Sequence, residues 1–345
     1  MKILFAVQAT GNGHLSRARE IIPHLLNHGE VDLLVSGSDS QVSLPYIIKY
    51  KKHGMGFSFG KKGGIDYIQT IKKLKPFRLL KDIYTFPVEQ YDVVINDFEP
   101  VTAWACRRRN KPCIALSHQS AYLSPLTPRP TKKDKFAEWI FRNYAPVSAA
   151  VGLHFQAYDS FIHTPVIRQE VRQLEPTDEG HYTVYLPAFD DKFLVQKFMK
   201  VSNATWQVFT KHSQRPYQVE NVEVLPIENN SYLKSLASGR GLLTGGGFEA
   251  PAEAMFLGKK VMSIPMLGQY EQQCNAIAIR KLGVKVVTEI GEHFLQKLHC
   301  WIEFEKSVVV DYPDQTEMLV SKAIKLAKYA SNAEPLLGQK LDWAV

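Results

Sequence analysis

Short apolar runs alternate along this chain with segments whose apolar residues recur at helical spacing, and that alternation leaves few architectures open. In the first half the runs are Ile3–Val7, Val31–Val35, Val93–Ile95, Cys113–Leu116 and Ala149–Leu153. Between the first two, Leu15, Ala18, Ile22, Leu25 and Leu26 follow a helical period. A second series begins near Tyr182, with runs at Thr183–Leu186, Trp206–Phe209, Val222–Leu225, Gly241–Leu243, Val261–Ile264 and Lys285–Val287. The Pro-containing, charged stretch His163–Gly180 separates the two series and suits a linker. After Asp314 a helical pattern runs through Met318, Leu319, Ala323, Ile324, Leu326 and Ala327 before a polar tail. The expectation is two α/β domains facing a cleft: residues 1–162, a linker at 163–180, residues 181–330, and a tail at 331–345.

Length and composition agree. The 345 residues are 45% hydrophobic and 22% charged, ordinary globular usage that excludes collagen, coiled coil and disorder. A net charge of +8 bears on anionic partners rather than on fold. Cys106, Cys113, Cys274 and Cys300 form no C-x-x-C pair, so they read as free thiols in a reducing compartment. The N-terminus reads as a buried strand, not a signal peptide, and no apolar run is long enough to span a bilayer. A cytoplasmic protein is expected.

Three constellations carry chemistry. The first strand ends in the turn Gly11-Asn12-Gly13-His14, which opens a helix and brings bare amides close to a ligand. Its spacing is not that of a dinucleotide fingerprint, and Ser36-Gly37 stand where that fingerprint needs an acidic residue, which argues against a nicotinamide dehydrogenase. His14 could be a general base or a capping group. In the second constellation a strand ends in Gly245-Gly246-Gly247 and opens a helix that carries Pro251 and Glu253, an arrangement suited to a diphosphate. A glycine turn with a solvated Glu is the alternative. The third, Pro265 to Ala276, gathers Gln269, Glu271, Gln272, Gln273 and Asn275, groups that suit sugar hydroxyls or a polar surface loop. Asp190 and Asp191 are adjacent, so their carboxylates diverge and read as a solvated turn rather than a metal site.

The pair of motifs Gly245–Glu253 and Pro265–Ala276 resembles the donor signature of nucleotide-sugar glycosyltransferases of the GT-B fold. The likeness is to UDP-glycosyltransferases and to the lipid-linked N-acetylglucosaminyltransferase of peptidoglycan synthesis. The turn at His14 resembles that group's G-x-G-H turn, Thr164-Pro165-Val166-Ile167-Arg168 its N-P-V-R segment, and Leu116-Ser117-His118-Gln119-Ser120 its H-E-Q-N turn. The ordered set spans Ile3 to Ala276. Gly245 departs from the His of many plant members, and Asn275 stands one residue nearer to Pro265 than in the peptidoglycan enzyme.

The resemblance implies two Rossmann-like, doubly wound parallel-sheet domains and an inverting transferase needing no metal or other cofactor. It implies that His14 is the base, oriented by Asp97. It places Gly11, Gly13, Gly245, Gly246 and Gly247 around the nucleotide sugar, Glu253 at the ribose hydroxyls, Gln272 and Glu271 at the donor sugar, and Ile227 beside the base. Asn12, His118 and Gln119 fall on the acceptor side, although His118, His154 and His163 are otherwise read as structural. The expected donor is UDP-linked and the expected acceptor a cell-envelope or lipid-linked saccharide. A UDP-sugar 2-epimerase and a nucleic-acid-binding protein are the rivals, the latter lacking any reading module and not expected. The segment Phe57–Lys81 interleaves lysines with Phe59, Tyr67, Ile71, Leu74, Phe77 and Leu80, and reads as a loop followed by an amphipathic helix whose mixed face either rests on an anionic membrane surface or packs on the domain core with its lysines solvated.

Overall fold

A computed structural model describes residues 1–37, 44–54 and 75–332. The chain begins with strand β1 (Lys2–Gln8), helix α1 (Asn12–Leu26), β2 (Glu30–Ser36) and β3 (Ile48–Lys52). There follow α2 (Pro76–Thr85), β4 (Val93–Asp97), α3 (Pro100–Arg108), β5 (Ile114–Ser117), α4 (Lys135–Asn143), β6 (Ala149–Leu153) and β7 (Ile162–His163). These strands form one parallel sheet ordered β3-β2-β1-β4-β5-β6-β7. β1 shows why the run must be central. Ile3, Phe5 and Val7 pack with α1 residues in one core, Leu4 and Ala6 pack with α3 residues in another, and all five are fully buried. Each of the four larger side chains taken from water contributes about 1.5–3 kcal/mol, so the strand has no face to give to solvent.

After a short helix α5 (Gln169–Arg172) the second unit comprises β8 (His181–Tyr185), α6 (Asp191–Phe198), β9 (Thr205–Thr210), β10 (Tyr217–Val219), β11 (Val222–Pro226) and α7 (Asn229–Ser238). It continues through β12 (Gly241–Thr244), α8 (Glu249–Phe256), β13 (Lys260–Ser263), α9 (Tyr270–Lys281), β14 (Lys285–Val286) and α10 (Phe294–Phe304). Its sheet runs β10-β11-β9-β8-β12-β13-β14, with only the β10–β11 pairing antiparallel. The expected α/β architecture of two doubly wound domains is what the chain adopts.

The expected limit of the second domain at residue 330 needs correction. The final described helix, α11 (Thr316–Asn332), crosses back to pack on α1 and on β4, β5 and β6 of the first sheet. Leu319, Val320, Ala323, Ile324 and Ala327 join the same core as Ile3 and Leu15. The periodicity defines an apolar face but not which sheet receives it. The linker is also ordered: His163 ends β7, and Ile167 and Val171 are buried.

Candidate active site

Both sheets point the C-terminal ends of their parallel strands into the space between the domains, the place where open α/β sheets bind ligands. His14 stands in the first turn of α1, directly after β1. Its Nδ1 lies 2.9 Å from Oδ1 of Asp97, the last residue of the neighbouring strand β4. With the proton on Nδ1 donated to Asp97, Nε2 carries the free lone pair; this tautomer is inferred from the hydrogen-bond network. Asp97 is aimed by the turn behind it. Phe98 takes a left-handed φ of 56° and stacks on Tyr144 at 4.8 Å. The carboxylate of Glu99 caps α3 by accepting from the amides of Val101 (2.8 Å) and Thr102 (2.7 Å).

Arg17, one helical turn beyond His14, is the residue that motif reading missed. It is only 3% exposed, and its Nη2 donates to both oxygens of Asp97 at 2.8 Å while its Nε donates to Oδ2 at 3.1 Å. Its Nη1 forms an ion pair with Glu249, the first residue of α8 in the second domain. Burying a guanidinium costs several kcal/mol unless it is paired, and here two carboxylates pair it. Burial alone would push the Asp97 carboxyl up, but the Arg17 guanidinium and then His14 outweigh it and hold it below the usual carboxylate range. The carboxylate therefore stays charged beside the imidazole.

Across the cleft, β12 ends in Gly245-Gly246-Gly247 and leads into α8. The Gly246 amide donates to Oε1 of Gln272 at 3.0 Å, and the same oxygen accepts from the Met266 amide at 2.9 Å. A Cβ on Gly246 would stand 2.6 Å from the Cβ of Gln272 and 2.7 Å from its carbonyl oxygen, so only glycine permits this approach. A Cβ on Gly247 would meet nothing within 4 Å. Glu271 faces the first domain, where Gln119 Nε2 donates to it at 3.0 Å, and burial pushes its carboxyl up. Asn12 Nδ2 reaches the Tyr185 hydroxyl at the end of β8, 3.4 Å away. Ile227 follows β11, its amide donating to the Thr210 carbonyl at 3.2 Å.

Glu253, which the resemblance assigns to the ribose hydroxyls, is bound within the chain by Arg168. Its carboxylate is 3% exposed, and both oxygens accept from Arg168, Oε1 from Nε at 2.6 Å and Oε2 from Nη2 at 2.8 Å. The linker is thereby pinned to α8. Asp190 caps α6, whereas Asp191 accepts from the Tyr217 hydroxyl at 2.7 Å, so the two carboxylates diverge. Among the described residues no group of three or more His, Cys, Asp or Glu side chains is placed to hold a metal ion. A cavity of about 160 Å³ is lined in part by Asn96, Phe98, Ser117 and Phe141, with Asn96 on the face of β4 opposite Asp97.

His118 closes the interface from below. Its ring stacks on Phe248 of the second domain, with centroids 3.9 Å apart and planes 8° apart. Nδ1 lies 2.9 Å from the Leu153 carbonyl, to which the neutral ring donates, and Nε2 lies 2.9 Å from Asn275 Oδ1, which accepts from the Tyr122 hydroxyl at 2.6 Å. Burial pushes this imidazole down to about 3, so it is neutral at pH 7. The folded state thus binds fewer protons than the unfolded chain between about pH 3 and 6.5. Its stabilising contribution is complete above pH 6.5 and is lost as pH falls. At pH 5 the loss from His118 alone is about 2 kcal/mol. Denaturant unfolding at pH 7 and pH 5 should show this loss, and His118→Gln should flatten the pH dependence by about that amount; an unchanged slope would contradict it.

The two facing doubly wound domains make up the GT-B architecture. The model of the family described as Glycosyl transferase family 1 matches residues 1–299, and the chain belongs to that family. No curated protein matches the sequence significantly. Among solved structures the chain resembles the glycosyltransferase SnogD from Streptomyces nogalater at 13% identity, with 96% of this chain and 98% of that one covered and a TM-score of 0.52. It also resembles Arabidopsis thaliana UGT89C1 complexed with UDP, at 13% identity, 96% and 94% coverage and a TM-score of 0.57. A third similar structure is Phytolacca americana UGT2 complexed with UDP-2fluoro-glucose and pterostilbene, at 10% identity, 95% and 93% coverage and a TM-score of 0.57.

Proposed function

We propose that this glycosyltransferase moves a sugar from a nucleoside-diphosphate donor, UDP-linked as in the complexes of UGT89C1 and UGT2, to an acceptor hydroxyl with inversion. The observation that carries the reading is the 2.9 Å contact of His14 with a charged Asp97, set opposite the glycine loop of the second domain. His14 Nε2 takes the hydroxyl proton as the oxygen attacks the anomeric carbon. The bond from that carbon to the β-phosphate oxygen breaks, and the diphosphate leaves with the electron pair. Asp97 stabilises the imidazolium that forms. The Gly247 backbone and the N-terminus of α8 meet the charge on the leaving group, while the Gly246 amide is held by Gln272. Membership of a transferase family favours this chemistry over epimerisation, which needs no acceptor.

On the acceptor side the proposal is a saccharide presented at an anionic membrane surface. Residues 55–74 of the segment read for membrane contact lie outside the described residues. In α2, which completes it, only Ile83 is buried, while Phe77 is 88% and Leu80 52% exposed beside Lys75, Arg78 and Lys81. No described helix is long and apolar enough to cross a membrane.

A thermal-shift screen against UDP, GDP, dTDP and ADP, followed by incubation with the matching nucleotide sugars, tests the reading. One nucleotide at about 100 times its Kd should add about 2.7 kcal/mol. The product should carry the anomeric configuration opposite to the donor, and phosphatidylglycerol vesicles bearing the acceptor lipid should raise the rate. No response to any nucleotide, or a retained configuration, would overturn it.

A further inference from the structure

The Arg17 guanidinium is more heavily committed than a structural ion pair requires. It sits one turn after His14 on the same face of α1, with Nη2 3.2 Å from His14 Nδ1. Nε and Nη2 hold both oxygens of Asp97, which leaves Nη1 to reach the second domain. Its partner there, Glu249, follows the glycine loop by two residues and opens the helix behind it. The Glu249 carboxylate also lies against the turn before His14, where a Cβ on Gly13 would collide with it. With the proton on His14 Nδ1 the approach of Nη2 is not a hydrogen bond, so the hold on the base runs through Asp97: one planar cation grips the residue that orients the base and reaches the helix that carries the donor loop. A lysine ammonium has neither the reach nor the fixed fork to make these contacts together.

We propose that Arg17 is a positioning residue for transfer: it holds the His14–Asp97 pair in its productive geometry and, through Glu249, registers that pair against the glycine loop of the opposite domain. This rests on the reading of His14 as the base. Glu249 and Arg17 then act as one unit, and the unit belongs to alignment rather than to donor affinity. The two parts of the link can be separated, because Glu249 is a quarter exposed and its replacement leaves the buried Arg17–Asp97 pair intact.

The test compares Glu249→Gln, Arg17→Lys and the double variant in the full chain, each checked for a wild-type circular-dichroism spectrum. Glu249→Gln should lower kcat about tenfold and Arg17→Lys about a hundredfold, with the Kd for the free nucleotide unchanged within about threefold, since misalignment by about 1 Å has costs of that size. The double variant should be no slower than Arg17→Lys alone, because both changes cut one connection. A second readout needs no turnover. Nitrogen-15 spectra of labelled histidine should show His14 as the Nδ1-protonated tautomer in the wild type and as a mixture in Arg17→Lys. Rates within twofold of wild type together with an unchanged tautomer would overturn the proposal, as would a loss that falls wholly on nucleotide affinity. Failure of the base reading shows itself separately, as a His14→Ala enzyme that still transfers sugar at the wild-type rate.

Discussion

Replacing His14 by alanine should lower kcat for sugar transfer by about 10²–10⁴, the range that a positioned general base supplies, while the Kd for the free nucleotide stays within about threefold. The separation follows from the architecture. His14 belongs to α1 of the first domain, whereas the loop proposed for the diphosphate belongs to β12 and α8 of the second. Asp97→Asn should cost a comparable amount in kcat for a different reason. An amide at that position can present its NH₂ to Nδ1 and favour the tautomer with the proton on Nε2, which then cannot accept from the acceptor. The same change strips Arg17 of its first-domain counter-ion, so the variant should also unfold at lower temperature than His14→Ala does. Steady-state kinetics with saturating donor, alongside nucleotide titration, measures both quantities. A His14→Ala enzyme within tenfold of wild type would remove His14 from the chemistry.

These residues were unequally legible from the chain. His14, the three glycines and Gln272 stand in short motifs near element ends, where a local pattern is enough to mark a turn and its amides, whereas Asp97 is marked only by the resemblance. Arg17 stands in no motif. Along α1 it reads as one charged residue on an amphipathic helix, and its role appears only when Asp97, 80 positions away, and Glu249, 232 positions away, are brought beside it. The same limit explains what was missed in the fold. The central strands β1, β4 and β12 are continuous apolar runs because both faces are covered. β3 reads Ile-Lys-Tyr-Lys-Lys because it lies at a sheet edge, and β7 and β10 have only two and three residues. A helix such as α11 advertises an apolar face, but its return to the first sheet depends on the shape of the whole molecule. The resemblance assigns Glu253 to the ribose hydroxyls and does not show its pairing with Arg168, which reaches it from a segment that reads as a polar linker.

That Arg168–Glu253 pair should carry the largest single-residue effect on stability. Both side chains are more than nine-tenths buried, and the Arg168 fork is satisfied by both Glu253 oxygens and, through Nη1, by Asn229 Oδ1 at 2.8 Å. Glu253→Leu leaves the buried guanidinium with only Asn229 and the partly exposed Glu170, 3.8 Å from its Nη1, a loss near the lower end of the roughly 3–5 kcal/mol for a buried pair broken on one side. Joint replacement by Arg168→Met and Glu253→Leu removes both desolvation penalties and should recover most of that loss, since a packed apolar pair is often as stable as the buried ions it replaces. The pair joins the linker to the second domain, so the unfolding transition that moves should be the one reporting on β8 and β12. Tyr182, which packs against Trp206 and Trp301 at ring separations of 5.3 and 5.0 Å, places two fluorescent reporters in that domain's core. Trp206 and Trp301 emission followed through urea unfolding should therefore show an early midpoint in the single variant and a near-normal one in the double variant. Equal midpoints for Glu253→Leu and the wild type would mean that the two ions are held by the surrounding packing and contribute nothing to it.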